Sequence, residues 1–155
     1  MSYKILSLDG GGSWAFIQAR VLLDIYGDIK GHDLLRQFDL VIANSGGSIV
    51  LGCLCNNMQL SETIKLFKDK ETRARLFSAL TFPEKLTPRN MLSLVRKKLR
   101  IGPKYNTSRK LKGIINVLRK YDDPSKEADD PTLIVNTPLH LLPKIIGKES
   151  LQLII

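Results

Sequence analysis

Phe38-Asp39-Leu40-Val41-Ile42-Ala43-Asn44-Ser45-Gly46-Gly47 is the stretch that decides how this chain folds. Residues 38–43 are mostly apolar and of strand length. Residues 44–47 are turn formers, and Ser48 to Asn56 behind them is apolar nearly all round, as in a buried helix. A strand that breaks at a serine and two glycines straight into a helix has the local form of a nucleophile elbow. Such a turn lifts the serine hydroxyl at the sheet edge. It needs small residues two places before and two places after the serine, because backbones pass closely there. Those places hold Ala43 and Gly47. The usual pattern has glycine at both, so Ala43 is a mild departure. Ser45 is therefore the candidate nucleophile, with Ala43, Asn44, Gly46 and Gly47 supporting the elbow. Ser48 is a poorer candidate, since Val50 would stand two places after it. On this stretch alone, Ser45 as a plain helix N-cap is the alternative.

Upstream, Lys4 to Leu8 reads as a short buried strand, broken by Asp9-Gly10-Gly11-Gly12-Ser13. A helix follows from Trp14, with Trp14, Ile17, Val21, Leu22 and Ile25 as its apolar face and Gly27 as its stop. Residues 1–57 thus form strand, Gly-rich turn, helix, strand, Gly-rich turn, helix. That is a crossover unit with parallel strands, and both turns leave the C-terminal strand ends, the edge where open parallel sheets bind ligands. Acyl transfer needs N–H donors aimed at a developing oxyanion. Gly10, Gly11 and Gly12 supply such amides with no side chains in the way. A phosphate-binding or purely structural turn is the alternative. No Gly-Lys-Ser/Thr follows, so the turn is not a P-loop, and Ala15 stands where a dinucleotide fingerprint has its last glycine.

Taken together, Leu8-Asp9-Gly10-Gly11-Gly12 before a helix and Phe38 to Gly47 resemble the patatin-like phospholipase family. The likeness is clearest over about residues 4–57, and Thr132 to Thr137 looks like a later core strand of the family. It implies a three-layer α/β fold, parallel strands flanked by helices, and lipid acyl hydrolysis by a Ser–Asp dyad without metal, histidine or other cofactor. Ser45 is then the nucleophile, and Gly10, Gly11 and Gly12 are the oxyanion loop. The implied substrate is a phospholipid or other acyl lipid. Two departures stand out. Trp14 occupies a place that often holds Arg or Lys, and the downstream Asp-Gly turn that carries the dyad acid is missing, since Asp9-Gly10 is the chain's sole Asp-Gly. Asp129 and Asp130 would serve only by convergence. Loss of such a partner typically lowers the rate by about 10⁴. The expectation is therefore a family member incomplete at its C-terminus, truncated or altered in frame before the dyad Asp, and inactive in this form. Two alternatives remain. One is a non-catalytic lipid- or partner-binding module. The other is a sugar-kinase-type phosphotransferase using Asp9 to Gly12 to cradle ATP, which would need a strand-turn-strand hairpin there.

The rest of the chain reads as a basic helical region over 60–121, a linker over 122–131, and a strand with an irregular tail over 132–155. Helices are expected from Ser61 to Asp69, from Thr72 to Leu80, from Thr87-Pro88 to Gly102, and from Thr107 or Ser108 with Leu111, Ile114, Ile115 and Leu118 on one face. The chain has 155 residues and a formal net charge of +9, a length that favours one domain. The charge is uneven. Residues 1–59 hold four basic and five acidic side chains, so the excess lies behind the elbow. Arg96, Lys97, Lys98 and Arg100 are its densest part. A solvated helix face is the bland account of them, and contact with anionic lipid is the sharper one. Against nucleic acid, no reader motif is present and only Tyr105 and Tyr121 interleave. No apolar run reaches the ~20 residues of a membrane span, and no signal peptide precedes the first strand. Cys53 and Cys55 are too close for a ready disulfide, which points to a reducing, cytoplasmic setting, with peripheral membrane contact expected only through the basic cluster. They read as packing residues. His32 and His140 lack metal-type spacing, so no metal site is expected.

Overall fold

The computed structural model describes residues 2–77, 107–119 and 133–155. Three parallel strands, β1 (Ile5–Leu8), β2 (Leu40–Ala43) and β3 (Gln152–Ile154), form a sheet in the order β1-β2-β3. Leu6 pairs with Val41 and Val41 with Leu153, so these three share one face. Leu6, Leu8, Val41 and Ala43 are buried on it. Ile5, Ile42 and Ile154 alternate with them and are exposed on the other face.

A 3-10 turn (Gly12–Ala15) leads into α1 (Phe16–Tyr26), which ends at Gly27 with φ of 75°. After α2 (Gly31–Leu35) and β2 comes α3 (Gly46–Cys55). Eight of its ten residues are buried, as its all-round apolar sequence requires. α3 packs on β1 and β2. Gly31 lets α2 approach it, since a Cβ there would overlap the Leu54 backbone. Then follow α4 (Leu60–Lys68), α5 (Lys70–Leu76), α6 (Thr107–Arg119) and α7 (Leu142–Ile146). α6 packs on α5 and α3, and the Asn56 side-chain amide donates to Leu118 O at 3.1 Å.

Four expectations need correction. Along the 3-10 turn and α1, Leu22 is buried as expected, but Ala15 and Ala19 are buried beside it while Trp14, Ile17, Val21 and Ile25 are exposed. The small alanines let α1 lie close to its neighbours α4 and α3. α4 is capped by Gln59, not Ser61. The Glu62 carboxylate accepts the Gln59 N–H at 3.0 Å, and Asp28 accepts the Ser61 N–H at 2.8 Å. In α6, Ile114 and Leu118 pack against the core as expected, but Leu111 is exposed and Val117 is buried beside them. Residues 133–137 form turns, not a strand. Asn136 N–H donates to Leu133 O at 2.9 Å, and the Thr137 hydroxyl donates to the same oxygen at 2.8 Å. The third strand is instead Gln152–Ile154.

Asp39 joins the three strands at their N-terminal ends. Its carboxylate accepts the Lys4 N–H at 2.9 Å and the Lys148 ammonium at 2.8 Å. Its own N–H donates to Lys4 O, and its carbonyl accepts the Gln152 N–H at 2.9 Å. The Lys148 hydrogen bond, then the Lys4 amide, holds the Asp39 carboxyl below its ordinary 3.8. A lowered carboxylate pKa stabilises the fold above the unfolded value, and that contribution is lost as pH falls through the folded one. Asp39→Asn should therefore melt below the parent near neutral pH. The gap should narrow below about pH 3.8 as the parent's carboxylate is protonated. Melting curves across an acid series check this, and a gap that does not change with pH would refute it.

Candidate functional site

Leu8 and Ala43 form the last register pair of β1 and β2, and the Asn44 N–H donates to Leu8 O at 3.0 Å. The two Gly-rich turns therefore leave the same sheet edge side by side. At Ser45 the chain takes φ of 50° and ψ of −113°. A residue with a Cβ is rarely found there, and holding one costs about 1–3 kcal/mol. The turn is closed by Gly47 N–H to Asn44 O at 2.9 Å and Ser48 N–H to Ser45 O at 3.2 Å. This sharp reversal leaves Ser45 exposed above the N-terminus of α3. The first-turn amides and dipole of a helix favour negative charge at that end.

The glycines of the elbow are set by contact with the first turn. A Cβ on Gly47 would overlap the Leu8 carbonyl and stand 2.8 Å from Asp9 O. On Gly46 it would overlap Gly12 O and stand 3.0 Å from the Ala15 Cβ. Sequence reasoning singled out the closeness at Gly47. It did not see that Gly46 is held as tightly, because that contact comes from a turn more than thirty residues earlier. Gly10 faces Ser45 directly, since a Cβ there would sit 3.2 Å from the Ser45 Cβ. Gly11 and Gly12 have φ of 153° and 59°, values open to glycine and rarely to other residues. Ala43 is buried under the elbow and Asn44 is exposed beside it. The structure thus brings Gly10, Gly11, Gly12 and Ser45 to one place.

One residue here was missed from sequence. The Gln18 side chain accepts the Asp9 N–H at 2.7 Å and donates to Asp9 O at 2.8 Å. A glutamine one turn into an amphipathic helix carries no sequence signal for that contact.

The groups around the serine are these. Among the described residues no carboxylate or imidazole is hydrogen-bonded to the Ser45 hydroxyl. The Asp9 carboxylate accepts from the Ser7 hydroxyl at 3.3 Å. The His32 Nε2 lies 2.7 Å from Cys55 O, and burial lowers its pKa below 6.5. His140 sits in a 3-10 turn (Leu139–Leu141). Cys53 and Cys55 are buried free thiols, and burial pushes both up to about 12, which makes them poor nucleophiles. Asp129 and Asp130 lie outside the described residues, as do Arg96, Lys97, Lys98 and Arg100. Among the described residues, no cluster of three His, Cys, Asp or Glu side chains occurs, and no helix is long and apolar enough to cross a membrane.

The phosphotransferase alternative fails on backbone grounds. It needs a hairpin at Asp9 to Gly12, whereas β1 pairs in parallel with β2 and the turn opens into a 3-10 turn and a helix.

Comparison with known families gives a match. The model of the patatin-like phospholipases matches residues 6–137, which is more than half of the chain and includes both Gly-rich turns. β3 lies beyond the matched span. No curated protein and no solved structure matches the chain significantly.

Proposed function

The chain belongs to the patatin-like phospholipase family, and we propose that its site is that of a serine acyl hydrolase acting on ester bonds of phospholipids or other acyl lipids. The observation that carries this reading is the Ser45 backbone, at φ of 50° and so close to Gly10 that a Cβ there would stand 3.2 Å from the Ser45 Cβ. In the proposed mechanism the Ser45 Oγ attacks the ester carbonyl. The carbonyl oxygen becomes an oxyanion held by amides of Gly10 to Gly12, with the N-terminus of α3 adding to the field. The tetrahedral intermediate collapses, the alcohol part of the lipid leaves with a proton, and water later releases the fatty acid from Ser45. The proton from Oγ must pass to a base. The absence of a hydrogen-bonded base among the described residues favours one second reading. This is a lipid-binding module that keeps the shape of the site without its chemistry. The basic residues Arg96, Lys97, Lys98 and Arg100 are proposed to meet anionic lipid in either case.

A fluorophosphonate probe separates the two. On the hydrolase reading, the full chain takes the phosphonyl group on the peptide carrying Ser45, and Ser45→Ala takes none. An unlabelled parent chain sinks the hydrolase reading and leaves the binding module. Label on another serine refutes the assignment of Ser45.

A further inference from the structure

We infer that Gln18 is a positioning residue, which fixes the Gly10 to Gly12 turn against Ser45 by gripping the backbone of Asp9. The inference rests on the acyl-hydrolase reading of that turn. Asp9 is the first residue beyond β1, and the ladder to β2 ends one residue before it, at Leu8 with Ala43. Its backbone N–H and C=O are both taken by the single Gln18 carboxamide, at 2.7 and 2.8 Å. A primary carboxamide carries one acceptor and two donors side by side. It therefore pairs with the N–H and C=O of one residue as a neighbouring strand would, and extends the ladder by one residue using a side chain.

Three glycines in a row need such an anchor. Each loses more backbone freedom on ordering than any other residue, and none has a side chain to hold it. The far end of the turn is held by the Trp14 N–H donating to Gly11 O at 3.1 Å and by Gly46 packed on Gly12 O. The near end is held by Gln18. Because α1 is packed on α4 and α3, the pair ties the turn to the same body that carries the elbow. Oxyanion donors act only when their placement is set before reaction. A displacement of ~1 Å can cost about 10²-fold in rate.

Gln18→Glu and Gln18→Met test this on the full chain. Glutamate keeps the length and the acceptor but loses the donor, and sets a carboxylate oxygen against Asp9 O. Methionine keeps the length and removes both groups. Two readouts are needed. Backbone ¹⁵N relaxation should show Gly10 to Gly12 loosening from order parameters of ~0.85 toward ~0.6 in both variants, with β2 and α4 unchanged. The maximal rate of fluorophosphonate labelling at Ser45 should fall by about 10²-fold, with the probe's binding constant little changed. Unchanged order at Gly10 to Gly12 in both variants overturns the inference, and so does loosening spread over β2 and α4. So does unchanged labelling of a variant when the parent is labelled. If the parent takes no label, the hydrolase reading falls by itself and the relaxation data alone decide whether Gln18 anchors the turn.

Discussion

Gly47→Ala should lower stability by about 3 kcal/mol, toward the upper end of what forced overpacking costs. The added methyl has nowhere to go. It would overlap the Leu8 carbonyl and stand 2.8 Å from Asp9 O. Both obstacles are backbone, so no rotamer change relieves them. Leu8 cannot retreat, because its oxygen accepts the Asn44 N–H at 3.0 Å and its strand is paired with β2. Moving Asp9 would pull on the Gln18 carboxamide pair. At roughly 2–4 °C per kcal/mol for a chain of this size, the melting temperature should drop by ~6–12 °C. Gly52→Ala is the control on the same helix. Its Cβ would meet only the Leu118 Cδ1, at 3.8 Å, an ordinary contact. Alanine in a helix interior gains about 0.5–1 kcal/mol over glycine, so this variant should melt above the parent. If Gly47→Ala melts with the parent, the close passage of β1 over the elbow is wrong.

The same closeness explains which parts were legible in the sequence. β1, the Gly-rich turn, β2 and the elbow are local patterns, and the two turns together say more than a serine and two glycines alone, which would equally cap a helix. The helix of α1 is legible, but of the face expected to be buried only Leu22 is. Both the Trp14-Ile17-Val21-Ile25 row and the Ala15-Ala19-Leu22 row are apolar at helical spacing. The choice between them is made by close approach to α4 and α3, which favours the small side chains. β3 escaped for another reason. It has three residues, after a 3-10 turn and a five-residue helix, all shorter than a window in which periodicity can be counted. Its place comes from Gln152 N–H to Asp39 O and from Lys148 at Asp39, contacts more than a hundred residues apart. Thr132 to Val135 had the better strand composition. Its described part, hemmed by Pro138, closes into turns through Asn136 and Thr137 instead. The two turns of the candidate site were legible because each is a short local motif. Gln18, Gly46 and Asp39 were not, because their work depends on contacts that only the fold brings together.

Ser45→Gly should separate stability from chemistry at the elbow. The φ of 50° and ψ of −113° at Ser45 carry a cost of about 1–3 kcal/mol for a residue with a Cβ. Glycine removes that cost and adds about 0.5–1 kcal/mol of backbone entropy. The variant should therefore be more stable than the parent by about 1 kcal/mol, or ~2–4 °C in melting temperature. Fluorophosphonate labelling at this position should vanish, since no Oγ remains. Ser45→Ala should lose the label equally but keep the strained backbone, and so melt close to the parent. The two variants thus share one loss and differ in one gain. An N-cap serine gives the opposite result, because its removal destabilises a helix, by about 1 kcal/mol for alanine and a few tenths for glycine. No capping bond from the Ser45 side chain to α3 is present, which is why the gain is expected. A Ser45→Gly chain that melts below the parent would mean that the serine serves the helix. One that melts above it and takes no label would mean that the strain is kept for the hydroxyl it lifts to the sheet edge.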